Sequence, residues 1–78
     1  SIECVYVARA IAEPFLAALA EGAKAVRPAF PPGEGGELGP FIFPPQAAKV
    51  QAQIDDALAK GARLLAGGTV ERLGGGHY

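Results

Sequence analysis

The chain has too few cysteine and histidine residues for the two devices that most often stabilise small domains. It contains one cysteine, Cys4, and one histidine, His77, among 78 residues. A single cysteine excludes a disulfide within the chain, and one residue of each type cannot supply the four ligands of a structural zinc site. A folded chain of this length buries only about 60–65 % of the surface that its unfolded form exposes. We therefore expect ordered structure to need self-association or additional protein.

Excess charge and long apolar runs are also missing. The formal net charge is −1 at pH 7 and the basic residues form no cluster, so the electrostatic pattern of a nucleic-acid-binding protein is absent. No apolar run approaches the roughly 18 residues that a membrane-spanning helix requires, and the N-terminal residues do not resemble a signal peptide. Together with the low cysteine usage, these features predict a cytoplasmic protein with neither nucleic acid nor membrane as its partner.

The apolar pattern predicts a partial α/β unit of two strands and two helices. Residues 2–7 are rich in β-branched and aromatic types, which favours a strand. Residues 11–26 carry apolar side chains at three- and four-residue spacing, which indicates a helix with one buried face. A second helix is predicted over 46–60, ending at Gly61, and residues 62–66 form the second predicted strand.

The remaining residues predict how these elements are connected. Residues 27–45 are dense in proline and glycine, so neither helix nor strand is expected there. Glycines at 67–68 and 74–76 predict turns on both sides of a short extended segment, 69–72. The order strand, helix, long loop, helix, strand predicts a partial three-layer unit with two parallel strands. Its sheet is incomplete in this chain and needs strands from outside it.

Three segments together resemble the aldehyde dehydrogenase superfamily, and in chain order they are SIECVYVARAIAEPFLAALAEGAKAV, GELGPFIFPPQAAKV and IDDALAKGARLLAGG. The resemblance covers nearly the whole chain and places it in the catalytic domain, just after the catalytic cysteine. For an intact protein it implies oxidation of an aldehyde to a carboxylic acid with NAD or NADP, through a cysteine thiohemiacetal. The family's nucleophile, general base and dinucleotide-binding domain correspond to none of these residues. The chain alone is therefore expected to be inactive and to bind no cofactor.

The resemblance supplies one candidate site, and it is for the cofactor. In the family a glutamine and a lysine in the pattern Q-x-x-K lie near the nicotinamide ribose, and Gln46 and Lys49 match that pattern. Residues at i and i+3 share a helix face, so both side chains can reach one ligand. The alternative interpretation is an ordinary solvated helix face. No catalytic or metal-binding residue is predicted.

Four further residues carry specific expectations. Cys4 stands where the family usually has arginine and is expected to be a small buried hydrophobic residue, not a nucleophile. Gly39 is expected to supply a positive φ or a close backbone approach. Phe30 replaces an aspartate of the family pattern, which puts the usual loop hydrogen bonds in doubt. His77, at the end of the chain, is expected to be structural or exposed.

Three hypotheses about function follow. In the first, the chain is a piece of an aldehyde dehydrogenase whose partner is the rest of that chain or another subunit, in a homo-oligomer. In the second, it is a small non-catalytic module that associates with a full-length subunit through an exposed sheet edge. In the third, it is a small enzyme that uses Cys4. The identity of the aldehyde and the choice between NAD and NADP stay open.

Overall fold

The computed structural model describes residues 3–31 and 35–78, and helices are its main elements. A short 3₁₀ turn, Arg9–Ile11, leads into helix α1, Ala12–Ala25. Pro14 lies in the first turn of α1, where a missing N–H group costs little. The helix ends at Ala25, and the next residue, Val26, has an extended backbone with φ −68° and ψ 132°. The first predicted helix is therefore confirmed, one residue shorter at each end.

Helix α2, Pro44–Ala59, confirms the second predicted helix but begins two residues earlier. A proline occupies its first position, where the fixed φ of proline already suits a helix. Past its C-terminal end, the chain reverses at Gly61, which has φ 99°. The amide of Ala62 donates to the Ala57 carbonyl at 2.9 Å, which completes a glycine-dependent helix stop.

The sheet differs from the prediction of two parallel strands, which is wrong for the residues described. Strands β1, Arg72–Leu73, and β2, Gly76–His77, form an antiparallel hairpin. The described part of the first predicted strand, residues 3–7, and the whole of 62–66 have no strand structure, and residue 2 lies outside the described residues. A strand persists only with a hydrogen-bonding partner. Strand β1 meets its partner β2 across a two-residue turn. The two predicted parallel strands, in contrast, needed further strands beside them.

The proline- and glycine-rich loop is closed at its base by a small set of hydrogen bonds. The Arg27 amide donates to the Glu37 carboxylate at 2.7 Å, and the Glu37 amide donates back to the Arg27 carbonyl at 2.9 Å. One step further, the Ala29 amide donates to the Leu38 carbonyl at 2.7 Å. Hydrogen bonds thus hold the two ends of this loop together, which an open linker would lack.

Gly36, and not Gly39, provides the close backbone approach in this loop. Gly36 has φ 131°, and a Cβ atom there would lie 2.5 Å from the Pro28 carbonyl oxygen. Gly39 has neither a positive φ nor a neighbour within 4 Å of such an atom. The expectation for Gly39 is therefore wrong. The two sides of the loop approach each other three residues earlier, at Gly36, where Arg27 and Glu37 are hydrogen-bonded.

Many large apolar side chains of the described residues are exposed. Among the described residues only Ala47 is fully buried, at 2 % exposure. The accessible surface is 6302 Å², whereas a compact monomer of 7.9 kDa exposes about 4,400 Å². The radius of gyration is 14.4 Å, against about 11.5 Å for a compact chain of this length. Neither helix in the described ranges combines the length and apolar character that crossing a bilayer requires.

Candidate functional site

The two candidate cofactor residues lie in the first two turns of α2. Gln46 and Lys49 are both exposed, while Ala47 is buried and Val50 is half-buried. At 100° per residue, Ala47 points about 130° away from the mean direction of Gln46 and Lys49, while Val50 lies about 40° from Gln46. Within the described part of the chain, neither polar side chain has a hydrogen-bond partner. They are therefore open to a ligand approaching from outside.

A residue that the sequence did not single out, Gln51, fixes the covered side of α2. Its Nε2 atom donates to the Gly68 carbonyl at 2.9 Å and to the Asp55 carboxylate at 3.2 Å. Its Oε1 atom accepts from the Val70 amide at 2.8 Å. A polar residue placed on an apolar helix face, one turn after Ala47, was the available signal. Such a residue is normally retained in a half-buried position because it is hydrogen-bonded.

The hairpin is bonded to the loop that precedes α2. The amide and carbonyl of Tyr78 exchange hydrogen bonds with those of Glu71 at 2.8 and 2.7 Å. The Tyr78 hydroxyl donates to the Ala29 carbonyl at 3.2 Å, and its ring meets Phe30 edge-to-face at 6.5 Å. The Phe41 amide donates to the His77 carbonyl at 2.8 Å. Phe30 thus contributes ring packing where the family pattern has an aspartate, and aromatic pairs of this geometry are stabilising.

Two concave regions lie near these contacts, and neither is lined by Gln46 or Lys49. An open groove of about 550 Å³ is walled mainly by apolar groups of α1, the loop and the hairpin, including Val26, Leu38 and Tyr78. A smaller cleft of about 340 Å³ lies between α2 and the hairpin and includes half-buried His77. Gln46 and Lys49 therefore lie outside both of these concave regions.

Cys4 is exposed and not buried, which corrects the expectation from the sequence. The expected burial depended on a strand at residues 3–7, and no such strand forms in the structure. No group of three histidine, cysteine or acidic residues that can hold a metal occurs within 3–31 and 35–78. Cys4 also lies outside a helix N-terminus, one of the settings that activate thiols.

Alkylation of Cys4 is expected to proceed at the rate of an ordinary accessible thiol. The reason is that the structure places no activating helix end at this residue. The measurement is the rate at which iodoacetamide labels the 78-residue chain at neutral pH, read by intact mass. An unstructured peptide that contains one cysteine is the reference. Labelling many times faster than the reference would restore Cys4 as a candidate nucleophile.

Comparison with known proteins identifies the family. The protein-family model described as "Aldehyde dehydrogenase family" matches residues 1–78. The chain is 39 % identical, over 90 % of its length, to a protein of Mycolicibacterium smegmatis named putative succinate-semialdehyde dehydrogenase [NADP(+)]. It is 42 % identical over 82 % of its length to betaine aldehyde dehydrogenase of Cereibacter sphaeroides. It is 40 % identical over 95 % of its length to 3-sulfolactaldehyde dehydrogenase of Pseudomonas putida.

The matched regions are a small part of those relatives. The chain spans 14 %, 13 % and 15 % of their respective lengths. No solved structure gives a significant match. The match along all 78 residues and the level of identity nevertheless lead to one conclusion: the chain belongs to the aldehyde dehydrogenase family.

Proposed function

We propose that this chain is part of the catalytic domain of a cytoplasmic, homo-oligomeric aldehyde dehydrogenase that uses NAD or NADP, and that it contributes one wall of the cofactor site. The observation that carries the proposal is the family match over residues 1–78. The relatives from Mycolicibacterium, Cereibacter and Pseudomonas are each called a dehydrogenase of an aldehyde. An aldehyde is therefore the substrate class that we propose for the intact protein.

The exposed surface supports the view that this chain works as part of a larger body. It exceeds that of a compact monomer by roughly 1,900 Å², whereas one partner of a standard-size protein interface buries about 800 Å². The exposed groups include large apolar side chains such as Tyr6, Ile42 and Phe43, at 96 %, 103 % and 65 % exposure. Burial of this area by the rest of the catalytic domain is worth about 25 cal/mol per Å² of apolar surface.

The cofactor role is assigned to the outward side of α2. Gln46 presents an amide that both donates and accepts, and Lys49 presents three donors without an acceptor. A ribose diol offers hydroxyl groups that match both side chains. When bound, the nicotinamide accepts the hydride removed from the substrate. In the proposed arrangement Gln46 and Lys49 hold the ribose, and neither takes part in bond making or breaking.

The test uses the full-length protein encoded by the reading frame that contains this segment. Reduction of NAD and of NADP is followed with betaine aldehyde, succinate semialdehyde and 3-sulfolactaldehyde as substrates. Lys49→Ala is expected to raise the KM for the cofactor about tenfold, because a hydrogen bond from a charged donor is worth about 1.5 kcal/mol or more. Gln46→Ala is expected to raise it about threefold, the scale of a neutral hydrogen bond.

Lys60→Ala is the matched control for these variants. Lys60 is exposed at the other end of the same helix, paired with Asp56 at 2.9 Å, and exposed pairs of this kind contribute little. Its KM values are expected to equal those of the parent protein. Equal cofactor KM values for Lys49→Ala and Lys60→Ala contradict the cofactor role. Absence of aldehyde-dependent reduction with every substrate and both cofactors counts against the proposed activity.

The exposed apolar surface also favours the second candidate function, a non-catalytic module that binds a full-length subunit. If the reading frame encodes this chain alone, that role takes precedence. Native mass measurement of the chain mixed with a full-length family member then separates the two outcomes. A stable complex of both chains supports the module, and strictly separate masses exclude it.

A further inference from the structure

We propose that Gln51 is a positioning residue for the cofactor site: it sets the rotation of α2 about its own axis and thereby the direction in which Gln46 and Lys49 point. The inference rests on the proposed cofactor role of those two residues. Gln51 does not face the cofactor itself. At 100° per residue, the mean direction of Gln51 and Ala47 around the helix axis is roughly 150° from the mean direction of Gln46 and Lys49.

Apolar packing fixes this rotation only in part, because Val50 and Ile54 on the covered face are no more than half-buried. The residue of α2 that is fully buried is Ala47, whose single methyl group tolerates small rotations of the helix. Hydrogen bonds are directional, and they weaken steeply when the donor angle departs from linearity. A rotation of about 20° moves a side-chain head that lies 6 Å from the helix axis by about 2 Å. Displacements of this size are large compared with the tolerance of well-oriented sites.

The contacts of Gln51 form a two-point attachment. Its amide accepts from the Val70 amide at 2.8 Å and donates to the Gly68 carbonyl at 2.9 Å. Those two backbone groups belong to residues two apart, so one side-chain amide bonds both a carbonyl and an N–H group of the same short segment. Two bonds to one amide group restrict both the distance and the angle between α2 and residues 67–70.

The segment to which Gln51 is hydrogen-bonded is itself attached to the hairpin. Gly68 has φ 94°, a backbone conformation that residues with a side chain rarely adopt. Immediately after it, Glu71 is bonded to Tyr78 through both backbone groups. The hairpin then returns to the residues that lead into α2, because the Phe41 amide donates to the His77 carbonyl at 2.8 Å. Gln51 thus closes a ring of contacts around the start of α2.

The experiment measures kcat and both KM values of the full-length protein with Gln51→Leu, a substitution of similar size that removes the hydrogen bonds to Gly68, Val70 and Asp55. The KM for the cofactor is expected to rise about threefold to tenfold, the scale of lost neutral hydrogen bonds, while the KM for the aldehyde stays unchanged. Gln53→Leu, on the exposed part of the same helix, is the control and is expected to change neither value. If Gln51→Leu yields no folded protein, Gln51→Glu, which keeps the acceptor for Val70, replaces it.

A double-mutant cycle with Lys49→Ala separates positioning from general stabilisation. If Gln51 acts through the placement of Lys49, Gln51→Leu adds little to the cofactor KM of Lys49→Ala, since coupled residues are non-additive. If the double variant raises the cofactor KM by the product of the two single effects, the inference is overturned. It is also overturned if Gln51→Leu leaves the cofactor KM unchanged while Lys49→Ala raises it. An unchanged KM in Lys49→Ala removes the proposed cofactor role itself, and the inference with it.

Discussion

Expressed by itself, the 78-residue chain is expected to show no cooperative thermal unfolding and no aldehyde-dependent reduction of NAD or NADP. One fully buried residue among those described cannot provide a core, and the exposed surface is roughly 1,900 Å² too large for a compact monomer. Ordering the backbone costs about 1–2 kcal/mol per residue, so burial on this scale leaves no net stability. The measurements are circular dichroism and calorimetry across a temperature range, with activity assayed on the same samples.

The informative comparison is the same chain at several concentrations. Transitions that sharpen and shift upward with concentration indicate stabilisation by self-association, because only association makes the midpoint depend on concentration. A sharp transition that is independent of concentration, with equal calorimetric and van't Hoff enthalpies, contradicts the prediction. In that case the chain is an independent domain and the module hypothesis becomes the stronger one.

Gly36→Ala in the full-length protein is expected to lower the free energy of unfolding by at least about 2 kcal/mol, from backbone strain and overpacking. The Cβ atom would lie 2.5 Å from the Pro28 carbonyl oxygen and 2.7 Å from the Ala29 Cα, both of which belong to the backbone. The φ of 131° at Gly36 is itself rarely adopted by other residues. Urea denaturation followed by fluorescence gives the change.

Gly39→Ala is the matched control, since it makes the same chemical change three residues later in the same loop. Its Cβ atom meets nothing within 4 Å, and its φ is not positive. The expected change is within about 0.5 kcal/mol, as for surface substitutions in general. Similar losses for both variants would show that Gly36 is not the point where the two sides of the loop cross.

The two helices could be predicted because their signals are local. Apolar spacing, a proline at the start of α2 and Gly61 at its end act within one or two turns of the chain. The choice of Gln46 and Lys49 came from the resemblance to the family, while the shared helix face came from their spacing. The structure leaves both residues exposed on one side of α2, and the cofactor role itself remains a prediction.

The sequence by itself determined the helices, the turn glycines and the family. The tertiary structure alone decided the strand pairing, the glycine at the loop crossing and the partners of Gln51. The physical reason is range: a helix satisfies its own hydrogen bonds, so its signals lie close together in sequence. A strand, a crossing and a half-buried amide need partners from elsewhere, and Gln51 finds them 17 and 19 residues away, at Gly68 and Val70.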